Sequence, residues 1–255
     1  MTFNELHKNS YPLLLANVWD VSSAKAAEEL GFKAIGTSSA AIASMLGYED
    51  GEKIKFEELC YFVKKIANNT SLPLSVDLEA GYSRTPTKII EHIKILSTYG
   101  VVGINLEDSI VNEERKLVDG KSFAKVILEI KNQLEITNLN IFLNIRIDTF
   151  LLDIPNKLEE TLKRMELYTK AGANGLFIPC LSKESDIKVL VDKSMLPINV
   201  MAMPNLPNFE RLKVLGVKRI SMGNFLFNNM TSVLKHNLFE IMKNKSFEII
   251  YNHAN

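Results

Sequence analysis

The stretch Leu74-Ser75-Val76-Asp77-Leu78-Glu79-Ala80-Gly81-Tyr82-Ser83 carries an apolar strand pattern that stops abruptly at two carboxylates, Asp77 and Glu79. Continued strand alternation sends both to one side, where two unpaired anions repel unless a metal or a basic group joins them. Only oxygen ligands are on offer, a donor set that favours Mg²⁺, or Mn²⁺, over zinc.

Short aliphatic runs of the same kind recur at Leu13–Ala16, Ala34–Gly36, Val102–Leu106, Ile141–Ile145, Gly175–Ile178, Ile198–Ala202 and Arg219–Met222, making eight candidate strands with Leu74–Leu78. Helical patterns lie between them, at Ser22–Leu30, Phe56–Asn68, Thr87–Tyr99, Ser122–Leu134, Lys157–Ala171, Glu184–Lys193 and Asn208–Leu215, with a last near Met230–Lys243. Gly31, Gly100, Gly172 and Gly216 close four of the helices, where a C-cap needs positive φ. Strand then helix, repeated through 255 residues, predicts an α/β chain folded as one TIM-type (β/α)8 barrel over residues 1–255, with a C-terminal helical segment at about 224–251. A doubly wound sheet would ordinarily use a glycine-rich first turn for phosphate, and residues 15–20 contain no glycine.

The chain is 46% hydrophobic and 24% charged, and its 30 basic residues balance 30 acidic ones, so no overall field draws it to nucleic acid or an anionic membrane. A small-molecule partner is expected. Two cysteines, Cys60 and Cys180, are too few for a disulfide framework, and no signal peptide or membrane span is legible, which predicts a cytoplasmic protein.

In a barrel the chemistry sits at the C-terminal strand ends. Those ends deliver Asn17, Trp19 and Asp20; Thr37, Ser38 and Ser39; Asp77 and Glu79; Glu107 and Asp108; Arg146 and Asp148. Asp77, Glu79 and Glu107 could surround one hydrated divalent ion, with Asp50 joining from the rim. Arg146 either grips a substrate carboxylate or forms a buried salt bridge with Asp148 or Glu107. Residues 37–40 supply small side chains and backbone N–H groups suited to an oxyanion. Trp19 either packs over a ligand or fills the rim. His7, His92, His236 and His253 all lie away from the strand ends, and no strand interior carries a lysine, which disfavours a histidine-based site and a Schiff-base aldolase.

These segments together resemble the isocitrate lyase and phosphoenolpyruvate mutase superfamily across nearly the whole chain. The resemblance is carried by Asn17-Val18-Trp19-Asp20, Gly36-Thr37-Ser38-Ser39-Ala40-Ala41, Leu46-Gly47-Tyr48-Glu49-Asp50, Asp77-Leu78-Glu79-Ala80-Gly81-Tyr82, Asn105-Leu106-Glu107-Asp108, Asn144-Ile145-Arg146-Ile147-Asp148 and Pro197-Ile198-Asn199-Val200. It implies a homo-oligomer, dimer or tetramer, with the eighth helix exchanged between subunits, and Mg²⁺ coordinating an enolate-like 2-oxo acid. By the same resemblance Asp77 is the central metal ligand, with Glu79, Glu107 and Asp50 acting through metal-bound water. Ser38, Ser39, Ala40, Arg146, Trp19 and Asn199 become substrate contacts. Glu79 stands where aspartate is usual. The segment Ser109–Asp119 carries neither the cysteine motif of the lyases nor the Lys-Thr-Asn pattern of the mutases, and Arg115 stands near the place of that cysteine. The segment reads as a mobile loop, with Arg115, Lys116 and Glu114 as candidates for charge stabilisation or proton transfer.

The expectation is a Mg²⁺-dependent carbon-carbon lyase or decarboxylase acting on a small 2-oxo or 2-hydroxy di- or tricarboxylate through an enolate. Carbon-phosphorus chemistry on phosphonopyruvate and a non-catalytic carboxylate-binding barrel are the alternatives.

Overall fold

The computed structural model describes residues 2–251. Its strands are β1 (Leu13–Leu14), β2 (Ala16–Val18), β3 (Ile35–Thr37), β4 (Leu74–Asp77), β5 (Val101–Glu107), β6 (Ser109–Val111), β7 (Arg115–Leu117), β8 (Phe142–Arg146), β9 (Gly175–Phe177), β10 (Ile198–Met201) and β11 (Arg219–Ser221). Its helices are α1 (Phe3–Leu6), α2 (Val21–Glu29), α3 (Ser39–Leu46), α4 (Phe56–Ala67), α5 (Pro86–Thr98), α6 (Gly120–Ile136), α7 (Lys157–Lys170), α8 (Glu184–Lys193), α9 (Phe209–Leu215), α10 (Phe225–Asn244) and α11 (Glu248–Tyr251).

The main sheet runs β1-β11-β10-β9-β8-β5-β4-β3-β2, parallel throughout. β1 and β2 are one strand interrupted at Leu15: its first half pairs with β11 and its second with β3, so the two ends of the sheet meet and the barrel closes. The chain is a TIM-type (β/α)8 barrel.

Residues paired across parallel strands share a face, which fixes what each side of the barrel holds. Outward, Leu74, Val76, Ile104, Leu106, Leu143, Ile145, Leu176, Ile198, Val200 and Ile220 join the helices in one apolar core. Each such buried aliphatic stabilises by about 1.5–3 kcal/mol relative to an exposed one. Inward, the register aligns Asp77 with Asn105 and Asn144, Glu107 with Arg146, and Arg219 with Asn199. Branched aliphatics usually fill a barrel interior, but here the layers leading to the mouth are polar. The opposite, N-terminal end is closed by Phe3, Leu6, Leu13, Leu15 and Phe142, with the His7 ring stacked on Phe142 at 4.2 Å.

Three local readings need correction. The expected strand Leu13–Ala16 is broken at Leu15 and extends to Val18. Ser39 and Ala40, expected in a loop over residues 37–40, instead open α3, because the Ser38 hydroxyl caps the Ala41 N–H at 3.3 Å and Gly47 ends the helix at φ 80. The segment read as a mobile loop is a β-hairpin of β6 and β7, paired Ser109 to Leu117 and Val111 to Arg115. The C-terminal helical segment is present as α10 and α11; His253 lies outside the described residues.

Candidate active site

A cavity of about 170 Å³ opens at the C-terminal ends of the strands, lined by Asn17, Ser38, Ser39, Ala40, Asp50, Asp77, Asn105, Arg146 and Ser221, with Phe177, Pro179 and Met201 on its apolar wall. Ser38, Ser39, Ala40, Asp50, Asp77 and Arg146 all line this one cavity.

Asp77 ends β4. Its backbone N–H donates to Thr37 Oγ1 at 2.8 Å, and its carboxylate accepts from Ser39 Oγ at 2.6 Å and from Asn105 Nδ2 at 3.4 Å. Ser38 spends its hydroxyl on Ala41, which leaves the Ser39 and Ala40 N–H groups as uncapped donors of the first turn of α3, beside the cavity. Asn17 carries the opposite wall: its Oδ1 accepts from the Met222 and Gly223 N–H groups at 2.7 and 3.1 Å.

Arg146 forms the buried salt bridge and also borders the cavity. Its Nε donates to Asp148 Oδ1 at 2.6 Å and its Nη1 stands 2.8 Å from Glu107 Oε2, yet the side chain still lines the cavity. Burial opposes its charge, and Asp148, Glu107 and Asp77 together outweigh burial, holding the guanidinium firmly protonated. The Glu107 carboxyl is pushed up by burial, with Arg146 and Arg115 acting in the other direction. Arg115, reaching in from the hairpin, bonds Glu107 and Ser109 and stands 3.4 Å from both Asp148 and Asp50. Behind this layer, buried Asp108 accepts from Arg164 Nη1 at 2.9 Å and Tyr168 Oη at 2.8 Å and holds the Asp148 N–H at 2.9 Å. Burial raises Asp108 to about 6.

Glu79 does not reach its place by strand alternation, because β4 ends at Asp77 and Glu79 adopts φ 50. Its carboxylate turns to the Glu52 N–H at 2.6 Å and the Tyr82 hydroxyl at 2.7 Å. Burial, Asp77 and Asp50 raise it to about 7. Trp19 fills the rim, buried edge-to-face against Phe227 at 5.2 Å, and does not line the cavity. Asn199 is buried lower in the barrel, donating to Val200 O and Ser221 Oγ.

Among the described residues, no group of three or more His, Cys, Asp and Glu side chains is drawn together as a metal cage. The charges nonetheless fit a cation. Arg115 and Arg146 offset Glu107 and Asp148, and Arg164 offsets Asp108. Asp50, Asp77 and Glu79 crowd one another, and their mutual repulsion contributes to the raised carboxyl groups of Asp50 and Glu79. A divalent ion that Asp77 and Asp50 could hold together with water would relieve that repulsion.

Asn105, Asn144, Ser221 and Arg219 were not singled out by strand-end reasoning. Their signal was the alternation within runs such as Gly103-Ile104-Asn105-Leu106-Glu107, where every second residue is polar or small.

The phosphoenolpyruvate phosphomutase family profile matches residues 3–242. The uncharacterized protein Rv1998c of Mycobacterium tuberculosis is 35% identical over 224 residues, covering 88% of this chain and 82% of its own. An oxaloacetate decarboxylase of Pseudomonas entomophila is 27% identical, covering 87% and 77%. The phosphoenolpyruvate phosphomutase structure from Streptomyces platensis subsp. rosaceus superposes with a TM-score of 0.86 at 18% identity, covering 98% of this chain and 89% of its own, a likeness of fold. The chain belongs to the phosphoenolpyruvate phosphomutase family.

Proposed function

We propose that the protein is a Mg²⁺-dependent lyase or decarboxylase of small 2-oxo di- or tricarboxylates that breaks the C3–C4 bond, one carbon removed from the oxo group, so that the electron pair left on C3 is taken up as an enolate. The observation that carries this reading is the pairing, in one cavity, of an acidic wall at Asp77 and Asp50 with anion donors at Arg146, Ser39 and Ala40. A 2-oxo acid suits that pairing once the acidic wall holds a cation, because its carboxylate then meets the donors while its oxo group would reach the cation. Mg²⁺, held by Asp77 and Asp50 with Glu79 and Glu107 acting through water, would polarise the oxo group. Arg146, fixed by Asp148 and Glu107, stabilises the negative charge that develops on the same oxygen, and it pays no reorganisation cost at the moment of reaction. Arg115 holds the hairpin beside the site through Glu107 and Asp50, and the enolate takes its proton from solvent to give pyruvate.

The oxaloacetate decarboxylase relative favours a four-carbon 2-oxo dicarboxylate. Incubation with oxaloacetate and Mg²⁺ is expected to form pyruvate faster than the metal alone does, and Asp77→Ala is expected to lose that excess. Full turnover in Asp77→Ala would remove the proposal. The family match also raises carbon-phosphorus chemistry; an unchanged phosphonopyruvate resonance in phosphorus NMR is the result expected from a hairpin without a Lys-Thr-Asn pattern.

We also propose that the protein is a homo-oligomer, dimer or tetramer, that exchanges α10 between subunits. Support comes from α10 itself, 20 residues long with Phe227 its one buried residue, and with Leu234, Leu238, Phe239 and Met242 exposed.

A further inference from the structure

Arg219 is a cation in a place the fold does not require. It opens β11, its side chain is 1% exposed, and no carboxylate forms an ion pair with it among the described residues. Among the described residues its Nε and Nη1 have no hydrogen-bond partner, and its side chain donates from Nη2 to Asn105 Oδ1 at 3.4 Å. Burial lowers the guanidinium to about 9, with Asp77 the acid that opposes the shift. His7, the titratable group that faces it from α1, offers no negative charge: its Nδ1 bonds the Phe3 carbonyl, and burial and Arg219 hold the ring near a pKa of about 4. An unpaired buried charge costs several kcal/mol, and an apolar side chain of the same length would avoid that cost.

What Arg219 does reach is the floor of the cavity. Asn105 Oδ1 accepts from Arg219 and from Asn144 Nδ2 at 2.8 Å, so the Asn105 N–H group is turned upward to Asp77 Oδ1. A guanidinium can only donate, so it cannot sit beside a reversed amide. Above Asn105 the cavity is bounded by Asp77 and Arg146. A fixed positive charge in a dry interior directs its field along the open path, towards the mouth.

We infer that Arg219 is a positioning residue of the site, a cation in the barrel floor that fixes the Asn105 amide beneath Asp77 and draws anionic ligands down to it without touching them. The inference rests on the carboxylate-binding reading above. Two variants of the full-length protein test it, Arg219→Met and Arg219→Lys, by thermal unfolding and by calorimetric titration of oxalate in the presence of Mg²⁺. Arg219→Met is expected to unfold at a temperature no lower than the wild type and to bind oxalate about tenfold or more weakly. Arg219→Lys, which keeps the charge, is expected to recover most of the affinity. Oxalate affinity in Arg219→Met within twofold of the wild type overturns the inference. So does a destabilised Arg219→Met whose binding defect lysine does not relieve, since that marks a structural role. Wild-type protein that binds no oxalate removes the function proposal itself; wild-type binding with an unaffected Arg219→Met removes only the role of Arg219.

Discussion

At the scale of single residues, the site is a set of buried charges whose balance decides both fold and chemistry. The Asp108–Arg164 pair is the clearest structural member: Asp108 is fully buried, and Arg164 and Tyr168 supply its donors from α7. Arg164→Ala leaves that carboxylate without its counter-charge and is expected to cost about 3–5 kcal/mol, measured by urea unfolding. His7 sets an acid limit on stability. Its folded pKa of about 4 lies below the ordinary imidazole value of 6.5, so the unfolded chain binds more protons between those values. Its contribution is complete above about 6.5, is lost as the pH falls towards about 4, and amounts to roughly 3 kcal/mol. His7→Phe is expected to flatten that part of the pH-stability curve; an unchanged slope would show that His7 titrates freely. The residues at the strand ends were legible in the sequence because an aliphatic run that stops at a charge has one physical meaning in a barrel. Arg219 was not, because a charge at the first position of a run reads as the end of the preceding turn, and only the register with Asn199 turns it inward.

At the scale of elements, the strand order and most helix positions followed from period and glycine placement. The exceptions share a cause: the deciding interaction is a capping or cross-chain contact with no periodic signal. Residues 37–40 look like a loop until the Ser38 hydroxyl is seen capping α3, and Ser38→Ala is expected to cost about 1 kcal/mol on that account. The β6–β7 hairpin is three residues on each side, too short for alternation to reveal. It is fastened by Arg115 to Glu107 and by the packing of Val111 against Gly51, where an added Cβ would lie 2.7 Å from a Val111 methyl carbon. Gly51 also has φ 103, so Gly51→Ala strains the turn and the packing together. Arg115→Ala is expected to speed amide exchange across residues 109–117 and to lower kcat about tenfold or more. Slow exchange with full activity would show that the hairpin holds itself in place and takes no part in turnover.

At the scale of the whole molecule, the equal counts of acidic and basic residues conceal a separation of character. Polar groups run up the inside of the barrel to the mouth, and apolar surface collects outside on the last helix. Leu238 is 53% exposed, Phe239 60% and Met242 70%, a row expected to be covered by a second copy. Leu238→Glu with Phe239→Glu is therefore expected to shift the sedimentation coefficient to that of a monomer; a wild-type protein that already sediments as a monomer would contradict the exchanged-helix arrangement.

The central claim is that this mouth forms an enolate beside a 2-oxo group, whichever fragment is removed. The most direct measurement is proton NMR of pyruvate incubated with the protein and Mg²⁺ in D₂O. The methyl signal is expected to decay faster than with Mg²⁺ alone, and the excess to vanish in Asp77→Ala; a methyl signal unaffected by the wild-type protein would rule enolate formation out.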